Sequence, residues 1–137
     1  MIYTSYFAKL KSLPDNVIPI SICAKAPTWY NGLQYKMLAP KYDFFIEWKE
    51  THDNDFYIRC FNEQVLNGLD VYEVVDTLYN LLPEKEKLYI DMTNCPPWEN
   101  PNVSIALVCY EKPTDFCHRH LVSEWFNKNG IRCEEWQ

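Results

Sequence analysis

Toward its C-terminal end the chain reads VSIALVCYEKPTDFCHRHLVSEWFNKN, from Val103 to Asn129. The apolar run Ile105 to Cys109 stops at a short polar turn and gives way to residues at helical spacing, which specifies a strand, a loop and a helix in succession. Such a unit belongs to layered α/β domains. In an open sheet of that class ligands bind beyond the carboxyl ends of the strands, and this junction carries Cys109, Glu111, Cys117, His118 and Arg119 to such an end.

The rest of the chain fits the same frame. Ile2 to Phe7 and Val17 to Cys23 are rich in β-branched and aromatic residues and predict two strands, Pro19 lying near the start of the second where a missing amide is tolerated. An aromatic loop follows, with Trp29 and Tyr30 serving either as a cap on the core or as ligand contacts. Phe44, Phe45 and Trp48 predict a helix over 41–49, and Tyr57, Ile58, Phe61, Val65 and Leu66 predict another over 55–67. Asp70 caps a third helix that runs to Pro83. Leu88 to Ile90 suits a short strand or a helical turn, and Cys95-Pro96-Pro97-Trp98 an exposed or lid-like loop. Ile131 to Trp136 alternates and predicts a closing strand after a helix stop at Gly130. The order predicts a single compact α/β domain over 1–137, with a small, mainly parallel sheet flanked by helices.

Composition narrows the setting. At 47% hydrophobic residues and only 3 Gly, the chain is far from a disordered profile and should fold alone. No charged leader precedes a long apolar run, so a cytoplasmic protein without membrane association is expected, and with it six free cysteine thiols and no disulfide framework. The net charge of −6 argues against a surface that grips a phosphate backbone throughout. The charge is unevenly spread, however. Residues 1–42 carry five lysines against Asp15 alone, interleaved with Tyr3, Tyr6, Phe7, Trp29, Tyr30, Tyr35 and Tyr42, a mixture suited to base stacking with phosphate attraction, or else an ordinary solvated face.

At the junction, Thr114 or Asp115 is expected to cap the helix, placing Cys117, His118 and Arg119 in its first turn. Cys117 and His118 precede Leu121 and Val122 of the apolar stripe by four residues each, so both should point inward near the positive helix end. Four readings stay open. A thiol nucleophile, Cys109 or Cys117, would use His118 as base and Arg119 as anion clamp. A ligand site without covalent chemistry would hold an anionic group with the helix terminus and Arg119 while aromatics stack on a ring. A metal site drawn from Cys95, Cys109, Cys117, His118 or His120 lacks paired C-x2-C or H-x3-H spacing, so no metal or cofactor is expected. In the structural reading the cysteines are core and Glu111 pairs with Arg119.

The segment ALVCYEKPTDFCHRHLVSEW resembles the signature of the domain-of-unknown-function family 488, a strand ending in C-Y-E that leads to C-H-R on a helix. TSYFAKLK and SICAKAPTWYNGLQYKMLAP look like the N-terminal motifs of its short bacterial and phage subgroup. The resemblance implies a compact α/β domain in which Thr4, Ser5, Tyr6, Cys109, Glu111, Cys117, His118 and Arg119 converge on one pocket. Residues 85–102 look like an insertion loop against that pattern. The expected function is to bind, with the means to process, a nucleotide-like or anionic ligand or a nucleic-acid end. Cys109, Glu111, Cys117 and His118 are the catalytic candidates, and Thr4, Ser5, Tyr6, Trp29 and Arg119 the ligand-binding ones. The rival is a non-catalytic interaction protein, such as a phage inhibitor acting in the host cytoplasm, whose acidic helices dock on a protein partner.

Overall fold

The computed structural model describes residues 1–92 and 94–137. Among them five strands form one all-parallel sheet: β1 (Ile2–Tyr6), β2 (Val17–Ser21), β3 (Leu33–Gln34), β4 (Ser104–Cys109) and β5 (Cys133–Glu135), in the order β3-β2-β4-β1-β5. The domain is therefore α/β, as the sequence predicts. β4 takes the centre because all six of its residues are apolar or small and all six are buried, as a strand covered on both faces requires. Ile105 pairs with Ile2 on one side and with Ile18 on the other. The edge strands are only two and three residues long, which limits the backbone left unpaired at the margins. β3 is too short for periodicity to register, and β2 stops at Ser21 instead of Cys23.

The helices are α1 (Tyr42–Thr51), α2 (Asn54–Phe61), α3 (Val71–Asn80), α4 (Glu84–Asp91) and α5 (His118–Lys128). Alternation along β4 divides the core. Ile105 and Leu107 face a large cluster that includes Phe44 of α1, Phe61 of α2, Leu78 of α3 and Phe126 of α5. Ala106 and Val108 face a smaller one with Phe7, Val17 and Tyr30, built around the 3-10 turn Phe7–Ser12. Asp53 caps α2 by accepting from the Phe56 amide, and α2 runs on into a wider turn over Asn62–Leu66. Asp70 caps α3, its Oδ1 accepting from the amides of Tyr72 and Glu73 at 2.8 and 3.2 Å. Asp70→Ala should lower stability by about 1 kcal/mol, read as a shifted urea midpoint at unchanged slope.

Two local expectations are corrected. α5 begins at His118 with extended Cys117 before it, not at Phe116 behind Thr114 or Asp115. Pro113 sits in a turn in which the Asp115 amide donates to the Lys112 carbonyl, and this turn takes up the residues expected to cap the helix. Residues 85–102 are not a loop throughout, since they hold most of α4 and a 3-10 turn at Pro97–Glu99; Thr93 within them lies outside the described residues. Gly130, at φ 80, follows α5 in the left-handed conformation that glycine takes without strain. Among the described residues no helix is long and apolar enough to cross a membrane.

The strand order sets where a site can form. From β1 to β2 to β3 the chain advances toward one edge of the sheet, and from β3 to β4 to β5 it returns toward the other. Neighbours β2 and β4 thus send their following segments in opposite directions, and a crevice opens between them at their carboxyl ends.

Candidate functional site

A cleft of about 460 Å³ occupies that crevice. Cys23, Ala24 and Lys25 enter it beyond β2, and Cys109, Tyr110 and Glu111 at the end of β4. α1 adds Phe45 and Lys49, and α5 adds His118. The Tyr110 hydroxyl donates to the Lys25 carbonyl at 2.7 Å and ties the two loops together at one side. Lys49 rides over the Phe45 ring with Nζ 5.2 Å from its centroid, so one apolar face and two cations, Lys25 and Lys49, line the same opening.

His118 is buried, and its Nε2 donates to the Ile22 carbonyl at 2.8 Å. A carbonyl can only accept, so that nitrogen carries the proton and Nδ1 is left bare. Nδ1 faces Cys117 Sγ at 4.0 Å. Burial, with smaller contributions from Arg119 and His120, pushes the imidazole pKa down to about 4 against the pull of the Ile22 carbonyl, so the ring is neutral at pH 7. Behind it stands an aromatic wall, with Trp48 and Tyr57 packed on Phe116 at 5.5 and 5.1 Å between centroids.

Cys109 and Cys117 are not separate thiols: their sulfurs are bonded to one another. This corrects the expectation of six free cysteines. The strand end and the residue before α5 meet over the same spot, which sequence separation alone does not show. Cys23, Cys60 and Cys133 are buried outside the cross-link and Cys95 is exposed. Burial raises the Cys23 thiol to about 12 and the Cys133 thiol to about 11, so neither is poised as a nucleophile.

Arg119 takes a role different from the expected ligand clamp. It is fully buried and satisfied from within: Nε and Nη2 reach the two carboxylate oxygens of Glu135, each at 3.1 Å. Nη1 donates to the Glu111 carbonyl at 2.7 Å and lies 3.4 Å from Cys109 Sγ. Its carboxylate partner is thus Glu135, while Glu111 contributes its backbone. The guanidinium also lies over the Tyr6 ring at 5.7 Å, and Thr4 Oγ1 donates to Glu135 at 2.7 Å. Buried Thr4 and Arg119 therefore form a network behind Cys109 with Tyr6 and Glu135, which are half-buried. Ser5 is buried, with no hydrogen-bond partner for its hydroxyl among the described residues. Trp29 is exposed, with its edge on Phe7 and Tyr30, and does not line the cleft.

Of the expected site residues, Cys109, Glu111 and His118 line the cleft, and Cys117 adjoins it through a narrow pocket shared with Glu111 and His118. Lys25, Lys49 and Phe45 were not expected there. The switch-point rule applied to the residues just past β2 would have found Lys25. Glu135 was also missed, although its position two residues from buried Cys133 in a strand puts an acid on an inward face. Comparison with family models, curated proteins and solved structures finds no match to this chain.

Proposed function

We propose that the cleft binds a small anionic, nucleotide-like ligand or a nucleic-acid end, with Cys109, Glu111 and His118 positioned to act on it. The observation that carries this reading is the pairing of Lys25 and Lys49 on the wall of a cleft that Cys109 and His118 also line. Both cations are exposed at the cleft and attract an anionic group toward it. Phe45 and Tyr110 offer ring faces for a base. Once the cross-link is reduced, the Arg119 guanidinium beside Cys109 favours negative charge on that sulfur, and neutral His118 offers a bare nitrogen as proton acceptor. The resemblance to the family named above agrees with Cys109, Glu111 and His118 as working residues.

Calorimetric titration with nucleoside mono- and diphosphates tests the reading. Each charged contact contributes about 1.5–3 kcal/mol, so Lys25→Ala and Lys49→Ala should each weaken binding by roughly ten- to a hundredfold. Lys9→Ala, outside the cleft, should leave it unchanged. Equal affinities for all four proteins, or no binding by any, would sink the proposal.

A second reading, a non-catalytic protein that docks on a partner, draws on α4. This helix has no buried residue, and Leu88, Tyr89 and the adjacent Met92 are exposed beside Glu84, Glu86 and Asp91. Partner binding that survives Cys109→Ser with Cys117→Ser and is lost on Leu88→Asp would favour it.

A further inference from the structure

We propose that in the reduced chain Cys109 Sγ, Cys117 Sγ and His118 Nδ1 form a three-donor zinc site whose fourth position opens on the cleft. One ligand atom from each of the three residues falls in a group whose members all lie within 4.8 Å of one another, and all three residues are buried. Two thiolates and an imidazole are a donor set zinc prefers, with bonds of about 2.3 Å to sulfur and about 2.0–2.1 Å to nitrogen.

Three further features fit a metal centre better than a plain pair of thiols. The Ile22 carbonyl accepts from His118 Nε2, which fixes the tautomer that aims Nδ1 at the sulfurs, as a partner behind a metal-bound histidine does. Arg119 places an N–H 3.4 Å from Cys109 Sγ, the kind of donor that steadies a metal-bound thiolate, and Glu135 holds that guanidinium in place. Cys109 and Cys117 each border open space that His118 also lines, Cys109 in the cleft and Cys117 in the narrow pocket beside it, so a donor from outside the chain can reach the cluster.

Binding is a proton exchange with no change of oxidation state. Zinc displaces the two thiol protons to solvent and takes the bare Nδ1 lone pair. Cys109 and His118 also line the cleft, so the open position faces the space assigned to the anionic ligand, with Glu111 on the same wall. In that respect alone the inference rests on the proposed ligand site.

The full chain, reduced with a phosphine and freed of metal, is titrated with zinc against a chromogenic chelator. One equivalent should bind, and Cys109→Ser, Cys117→Ser and His118→Ala should each weaken it by at least about tenfold, while Cys60→Ser should not. Because a ligand variant can fail to fold, the unaltered chain is also loaded with cobalt(II). An intense near-ultraviolet thiolate-to-cobalt band with tetrahedral visible bands supports the site; weak octahedral bands without it overturn the proposal, as does the absence of stoichiometric zinc. Zinc binding in a chain that takes up no nucleotide would support this site and count against the anion cleft, and nucleotide binding without zinc the reverse.

Discussion

Replacing Glu135 with alanine is expected to lower folding stability by about 3–5 kcal/mol, a large part of the roughly 5–15 kcal/mol that holds an ordinary domain folded. The size follows from what remains behind. Arg119 has no solvent exposure, and Glu135 supplies the bidentate carboxylate that offsets the desolvation of its guanidinium. Thr4 would lose its acceptor in the same step. Glu134, the neighbouring residue, provides the contrast: it pairs with Arg132 on the surface, and Glu134→Ala should change stability by no more than about 1 kcal/mol. Urea unfolding of both variants checks the expectation, and equal midpoints would show that the buried pair contributes little more than the exposed one. Cys109 and Glu111 sit on the far side of Arg119, so Glu135→Ala should also loosen the cleft wall, which is read as weaker ligand or metal binding in whatever fraction stays folded.

Acidification is expected to destabilise the metal-free chain through His118 by roughly 3 kcal/mol. The imidazole has a pKa of about 4 in the folded protein, against the ordinary 6.5, chiefly because it is buried. Between those two values the unfolded chain takes up a proton that the folded chain refuses. Stability from this group is therefore complete above pH 6.5 and lost progressively as the pH falls toward 4. His120, also shifted downward by burial, adds a contribution of the same sign. Comparing unfolding free energies at pH 7 and 4.5 in the parent and in His118→Gln isolates the effect. The variant should lose less stability on acidification, and parallel curves would remove His118 as the cause.

Much of the architecture was legible in the residues. The unbroken apolar run of β4, the stripes of α1, α2 and α3, the cap at Asp70 and the β-branched and aromatic residues at the N-terminus each leave a pattern within one short stretch of chain, even though β1 and β4 pair across about a hundred residues. The failures have the same root. β3 is two residues long, less than one period of any pattern, and exists only because β2 offers it an edge. Asp115 was a plausible cap, but it belongs to the turn at Pro113, and extended Cys117 stands before α5 begins.

For the site, the sequence by itself determined that Cys109, Glu111, Cys117, His118 and Arg119 gather where a strand ends and a helix begins, because residues that close along one chain cannot be far apart. It also determined that His118 turns inward, since helical spacing ties it to Val122; Cys117 is buried too, but from an extended position before α5. Only the tertiary structure decided what each group faces. Strand order joins the loop after β2 to the end of β4 and so brings Lys25 to Cys109 and the Ile22 carbonyl to His118, from segments more than eighty residues apart. The pairing of β5 with β1 sets Glu135 against Arg119 and turns an expected ligand clamp into an internal brace. Charge and donor chemistry are properties of a residue, but whether a cation meets an anion, a sulfur or open solvent depends on contacts between elements distant along the chain.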